Sequence, residues 1–236
     1  MRSLIATAIF LGSFATAAAS DYEENRDLAV DASGVEKLII NVGAGSLDVA
    51  GVDGLDTIEV KATIVIPDAD DEDGQKVIEK YLVLTLDRHD TSVELKSEFN
   101  KRFWGFNSSG RVDLEVRAPS TLAVSIDDGS GSIDVSNFSA DVRIDDGSGS
   151  IDVQNVGALN IDDGSGSIDV SGASGDVYVN DGSGSITVNS VSGSVTIDDG
   201  SGSIRVTDVA EDLIIVDDGS GSISFSDIRG AVEQEG

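Results

Sequence analysis

Aspartate is the residue type in this 236-residue chain whose spacing suggests chemistry. Asp128, Asp146, Asp163, Asp181, Asp199 and Asp218 each precede a Gly-Ser-Gly-Ser run, at intervals of 18, 17, 18, 18 and 19 residues. A second row lies one residue earlier, at Asp127, Asp145, Asp162, Asn180, Asp198 and Asp217, and Asp134, Asp152 and Asp169 make a third. Carboxylates recurring at a fixed interval invite Ca2+, a hard cation that collects carboxylate and carbonyl oxygens. It would also relieve the repulsion between stacked like charges. A Ca2+-binding β-roll with the repeat G-G-x-G-x-D-x-U-x is a known solution at this period. Aligned on the glycines, that motif needs Asp where this chain has Ile133, so its ligand pattern is absent as written. The simpler expectation is that the six aspartates accept hydrogen bonds from amides of their own Gly-Ser-Gly turn. The other two rows are then solvated surface. This explains why Asn180 is tolerated in the second row, whereas the residue before the glycine never varies among the copies. No cofactor is expected, with Ca2+ on the six corner aspartates as the alternative.

Two other groups bear on chemistry. His89, the single histidine, falls in Asp87-Arg88-His89-Asp90 between two predicted strands, and its pattern is that of a turn residue. Acidic pairs suited to glycoside hydrolysis can be drawn anywhere in so acidic a chain, so they discriminate nothing. The expectation is a protein that is not an enzyme. Lys101-Arg102-Phe103-Trp104-Gly105-Phe106 holds the sole Trp beside two cations. Arg102, Phe103, Trp104 and Phe106 form either an interaction loop or a cover for the first exposed core.

The elements that position these residues follow from the repeat. A fixed period this short means one supersecondary unit stacked on itself. In Ser132–Asp146, Ile133 and Val135 alternate with Asp134, and Val142 and Ile144 flank Arg143, so each unit predicts two short strands. Gly147 and Gly149 then turn the chain, glycine taking φ > 0 without steric cost. A flattened coil results, with each strand parallel to its equivalent one circuit on, about 4.8 Å away. One sheet would stack Ile133, Ile151, Ile168, Ile186, Ile204 and Ile223 beside Val135, Val153, Val170, Val188, Val206 and Phe225. The other would stack Val142, Leu159, Val177, Val195 and Ile214 beside Ile144, Ile161, Val179, Ile197 and Val216. Phe138, Val156, Ala173, Val191, Val209 and Ile228 fill the corner without glycine. Antiparallel hairpins joined by the GSG turns are the rival, but they leave the near-constant register unexplained.

The phrase recurs once, degenerate, at Ile40–Val49, with Val52 at the corner and Ile58 and Val60 expected in the opposite strand. Asp68–Asp73 reads as an acidic loop, Gln75–Tyr81 as a short helix, and Leu82–Leu86, Ser92–Lys96 and Val112–Val116 as longer strands. The fold expected is all-β, a two-sided parallel β-solenoid of about 18-residue circuits with a strand-rich N-terminal capping block. Residues 21–118 hold the first circuit and cap, and 119–236 the regular repeats, in one continuous domain.

Charge and termini bound the partners. Fifteen Lys and Arg oppose 44 Asp and Glu, a formal net charge of −29. That balance excludes nucleic acid and anionic membrane surfaces. From Pro119 onward 22 acidic residues face three basic ones, Arg143, Arg205 and Arg229. Residues 1–20 have the pattern of a secretory signal peptide: Arg2, an apolar run from Leu4 to Phe14, then small residues to Ser20. The run is shorter than the roughly 20 residues that span a bilayer. The chain has no cysteine. A soluble periplasmic or extracellular protein with no membrane span is expected.

The GSGSIxV phrases, alternating with G-x-V-x-V strands after Pro119–Ser125, resemble the bacterial DUF4097 group of adhesin-like proteins. That group is related to auto-transporter adhesin head (GIN) domains, and the resemblance runs from about Leu38 to Val232. It implies an exported β-solenoid without established catalysis that scaffolds, or adheres to, a protein or glycan of the cell envelope. The alternatives are a Ca2+-dependent acidic module and a scaffold that self-associates through its C-terminal edge around Phe225.

Overall fold

The computed structural model describes residues 21–100 and 110–235. The signal-peptide segment 1–20 and the loop with Arg102, Phe103, Trp104 and Phe106 lie outside the described residues. The chain is a two-sided parallel β-solenoid of about six 18-residue turns. Its N-terminal part contains β1 (Tyr22–Asp31), β2 (Lys37–Ala44), β3 (Leu47–Val52), β4 (Thr57–Ile66), α1 (Asp71–Tyr81), β5 (Leu82–His89), β6 (Ser92–Phe99) and β7 (Arg111–Pro119). The long β8 (Ala123–Ser136) runs through the first DGSGS corner and belongs to both sheets. Short strands of the second sheet then alternate with longer strands of the first. They are β9 (Val142–Asp146), β10 (Gly149–Val156), β11 (Leu159–Asp163), β12 (Gly166–Ala173), β13 (Val177–Asp181) and β14 (Gly184–Val191). After them come β15 (Val195–Asp199), β16 (Gly202–Val209), β17 (Leu213–Asp217), β18 (Gly221–Ile228) and β19 (Val232–Gln234).

Each strand from β8 onward is parallel to its equivalent, and the identical phrases fall in register. Ile151 sits opposite Ile133 and Ile168, and Ile161 opposite Ile144 and Val179. The period-two pattern turns these side chains inward, and most of the first-sheet, second-sheet and corner stacks are buried. Phe138, 1% exposed, heads the corner stack.

The last circuit departs from expectation. Leu213 and Ile215, not Ile214 and Val216, continue the second-sheet stacks, and Val216 is 39% exposed. A bulge after Ile197 shifts the register by one, absorbing the extra residue of the 19-residue interval. One residue of slip exchanges the two faces of a strand.

The turns also differ in kind. In the first five corners only the second glycine has positive φ, +143° to +158° at Gly131, Gly149, Gly166, Gly184 and Gly202. The first glycine is required by close approach: a Cβ on Gly129 would lie 2.8 Å from the Gly43 carbonyl oxygen, and one on Gly147 2.7 Å from that of Gly129. The left-handed turn that sequence analysis did not anticipate lies at the opposite corner. Asn137, Asn155, Gly172, Ser190, Asp208 and Asp227 occupy it with φ of +53° to +80°. Asn, Asp and Gly are the residues that tolerate this region best.

The capping block is corrected more extensively. β4 is not the opposite strand of a first circuit. It doubles back antiparallel to β1 and β7 in the first sheet, carrying Ile58 and Val60 with it. The reversal follows a turn at Gly54 (φ +74°) where no DGSGS corner exists. The β2–β3 circuit is sandwiched between β6 and β7 on one side and β8 on the other. The helix begins earlier than expected, because Asp70 caps it by accepting the Asp73 N–H (2.9 Å). Its acidic first turn, Asp71, Glu72 and Asp73, suits the positive helix N-terminus. Val77 and Ile78 of α1 are buried, covering the N-terminal end of the coil. Among the described residues no helix is long and apolar enough to cross a membrane.

Candidate functional site

The DGSGS corners bring five of the six predicted aspartates into one file. Asp128, Asp146, Asp163, Asp181 and Asp199 pair in register, each the inward neighbour of an Ile or Val two residues before it. They are 0–4% exposed. Each Oδ1 accepts the backbone N–H two residues on, from Ser130 (3.3 Å), Ser148 (3.2 Å), Ser165 (3.1 Å), Ser183 (3.0 Å) and Ser201 (3.0 Å). The expected Asx turn is therefore present five times. The aspartate carbonyls tie successive circuits: Gly147 N–H donates to Asp128, Gly164 to Asp146, Gly182 to Asp163 and Gly200 to Asp181.

Asp218 stands outside this arrangement. After the bulge, Asp217 pairs with Asp198 and its Oδ1 accepts the Gly219 N–H at 2.9 Å. Gly219 there adopts φ +45°, unlike the first glycine of the other corners.

The second carboxylate oxygen was not foreseen. All five Oδ2 atoms of the file are buried and without a hydrogen-bond partner. Burial, reinforced by Asp146 and Asp127, pushes the Asp128 carboxyl up to about 6 despite the Ser130 and Gly129 amides. Burial does the same at Asp163, also to about 6, with Asp146 and Asp181 adding to it against the Ser165 amide. Asp146, Asp181 and Asp199 move the same way, burial again leading. Among the described residues no group of three or more acidic or histidine side chains is placed to hold a metal ion. A single file contributes one carboxyl per circuit, whereas Ca2+ takes six to eight oxygens.

The outward rows behave as surface. Asp127, Asp145 and Asp162 are exposed, and Asn180 donates to Asp162 Oδ1 at 3.2 Å. Asp134 titrates above the usual carboxylate range because of partial burial and the neighbouring Asp152 and Asp48. Asp176 and Asp212 have a structural task that the repeat phrase did not reveal. Their Oδ1 atoms accept the Ser194 and Ala231 N–H groups one circuit on, at 2.9 and 2.7 Å. His89 ends β5 beside the hairpin turn, exposed, 3.9 Å from Glu94.

On the outer face of the second sheet one row is free of carboxylates from β8 to β17, before it reaches Glu233 on β19. Ser125, Arg143, Asn160, Tyr178, Thr196 and Ile214 follow one another across β8, β9, β11, β13, β15 and β17. Tyr178 is 40% exposed, and Arg143 Nη1 donates to Asn160 Oδ1 at 2.9 Å. A shallow trough runs over this row and reaches Lys37, Asp141 and Asp176 at its margin. Its one signal in the sequence is Tyr178, the only aromatic residue on the outer faces of β9, β11, β13, β15 and β17.

No family model matches this chain, and no curated protein matches it. Solved structures with a similar course include a "putative adhesin" from Bacteroides fragilis, 16% identical, covering 92% of this chain and 99% of its own, TM-score 0.46. A "putative cell adhesion protein" from Clostridium sporogenes is 12% identical over 91% of this chain and 100% of its own, TM-score 0.35. A "putative lipid binding protein" from Parabacteroides distasonis is 14% identical over 91% and 97%, TM-score 0.37.

Proposed function

We propose that this chain is a non-enzymatic adhesion module of the cell envelope or surface, a rigid solenoid that holds a protein or glycan partner against its second sheet. The observation that carries this is the Arg143–Asn160–Tyr178–Thr196 row. It places an exposed aromatic ring and a guanidinium two strands apart, with Asn160 between them, on the outer face of otherwise acidic strands. Tyr and Arg are residue types enriched among those that dominate binding energy at interfaces, and an aromatic ring flanked by hydrogen-bonding side chains suits a sugar ring as well. The repeat's resemblance to adhesin-like solenoids is consistent with this role. Export through residues 1–20 would put the face outside the cytoplasm. The cationic and aromatic set Arg102, Phe103, Trp104 and Phe106 is a further proposed contact of the same chemistry. Binding to isolated envelope fractions and to a glycan array tests the proposal. Tyr178→Ala and Arg143→Ala should each weaken binding about tenfold or more, with melting unchanged because both side chains are exposed. Retained binding in both variants would reject this face.

A second reading, self-association, is favoured by β18. Its core residues Ile223 and Ile228 are only partly covered, Phe225 is 46% exposed and Val232 on β19 is 40% exposed. From Gly221 to Ser226 the strand carries no charge, whereas the edge strand β1 carries Glu23, Glu24, Arg26 and Asp27. Charged residues on an edge are what normally blocks pairing with another chain. Sedimentation at several concentrations should show a dimer that Phe225→Lys converts to monomer. A monomer at every wild-type concentration would end this reading.

A further inference from the structure

We infer that the DGSGS corner is an internal proton-binding site: a file of five carboxyl groups in which protons bridge the buried Oδ2 atoms to the carboxyls one circuit away. The geometry leaves few other partners. Oδ1 of Asp128, Asp146, Asp163, Asp181 and Asp199 already accepts a serine amide, while Oδ2 is buried and receives no donor. In-register pairing sets successive aspartates one strand spacing apart, about 4.8 Å.

An ionised oxygen with no donor in a dry interior is costly, and five in file repel one another as well. A proton removes both penalties. It turns one Oδ2 into a donor and leaves the neighbouring carboxyl as its acceptor, and no bond other than the O–H is made or broken.

Among the described residues no cation faces the file from the elements packed against it. On the strands that carry the file, Asp127, Asp145, Asp162, Asn180 and Asp198 occupy the alternate, outward positions. Asp217 and Asp218 lie beyond Asp199, and both raise its affinity for a proton. On the N-terminal side β2 puts Val42 in register with Asp128. From the first sheet the next inward residues along the chain are Ile133, Ile151, Ile168, Ile186 and Ile204, all buried. The upward displacement of all five carboxyls accords with this environment.

The sign of the pH effect follows. The folded affinity for a proton lies above the unfolded value of 3.8, to about 6 at Asp128 and Asp163. The stabilisation is complete below the unfolded value and is lost as pH rises through about 6. The module is thus firmest in mildly acidic surroundings.

The test is thermal melting between pH 5 and 7.5, with 13C carboxyl NMR of the aspartates, in wild type and Asp163→Asn. Wild type should lose about 5 °C or more across that range, with the Asp128 and Asp163 carboxyls titrating near 6 and the other three above the usual carboxylate range. Asp163→Asn keeps an oxygen for the Ser165 amide and gains a permanent N–H donor. It should melt higher than wild type at pH 7.5 and depend less on pH. If the variant does not fold, the wild-type carboxyl titration decides. Titration of all five near 4, or a melting temperature flat from pH 5 to 7.5, overturns the inference. So does CaCl2 stabilising the protein beyond NaCl of equal ionic strength and flattening its pH dependence, because a metal ion would then hold the file.

Discussion

Gly166→Ala is expected to cost about 4 kcal/mol or more and to lower the melting temperature by about 10 °C or more. The cause is backbone contact. A Cβ on Gly166 would fall on the Gly149 carbonyl oxygen, as one on Gly149 would fall on Gly131 and one on Gly184 on Gly166. Each second glycine of the corner thus rests on the one before it, and the only relief is to separate two circuits. Separation breaks the Gly149 N–H bond to the Ser165 carbonyl (3.0 Å) and displaces Ile168, which is fully buried. The backbone adds its own penalty, since φ +153° is a conformation L side chains seldom adopt. Gly54→Ala is the control. Gly54 also has positive φ (+74°), but nothing lies within 4 Å of the added methyl. Its cost should be that of the backbone alone, about 1–2 kcal/mol. Urea or thermal melts of the two variants check the contrast. Gly166→Ala melting within 2 °C of wild type would mean that the corners are not stacked in this way.

The corner also explains what a sequence can and cannot disclose about such a fold. The period and the repeated Ile and Val positions were legible because one side chain recurs at one place in every circuit. Identical strands in register bury identical residues. The Asx role of Asp163 was legible for the same reason, since the aspartate and its serine amide are two residues apart. Contacts decided by chain reversal were not. β4 returns to β1 and β7 because of long-range pairing, and Ile58 and Val60 look the same in either sheet. Leu213-Ile214-Ile215-Val216 offers four apolar residues in a row, so alternation cannot choose the inward pair; the bulge after Ile197 does. The αL positions Asn137, Asn155, Ser190, Asp208 and Asp227 did leave a signal, a turn-forming residue before each corner apolar residue. The unpartnered Oδ2 atoms left none, because they depend on how tightly neighbouring circuits close.

The solenoid interior and its exterior divide the work between them. The repeated aspartate faces inward and ties the turn. The exposed faces are where a partner is met, and Arg143 and Tyr178 are the side chains there whose chemistry differs most from the acidic rows around them.

All of this depends on one structural fact: successive copies of the phrase lie parallel and in register. Because the chain has no native cysteine, paired cysteine substitutions report that register directly. Ser167 on β12 lies opposite Ser185 on β14, both on the outer face of the first sheet. Adjacent parallel strands put their Cα atoms about 4.8 Å apart, within the 4.4–6.8 Å range that a disulfide accepts. Ser171 shares that face but pairs with Asn189, which displaces it from Ser185 by four residues, roughly 13 Å along the strand. Mild oxidation of Ser167→Cys/Ser185→Cys should give a near-complete intramolecular cross-link, and Ser171→Cys/Ser185→Cys essentially none. Antiparallel hairpins joined at the GSG turns would instead set Ser167 against residues just before its own turn. Failure of the Ser167/Ser185 pair to cross-link while Ser171/Ser185 does so would contradict the parallel solenoid and everything built on it.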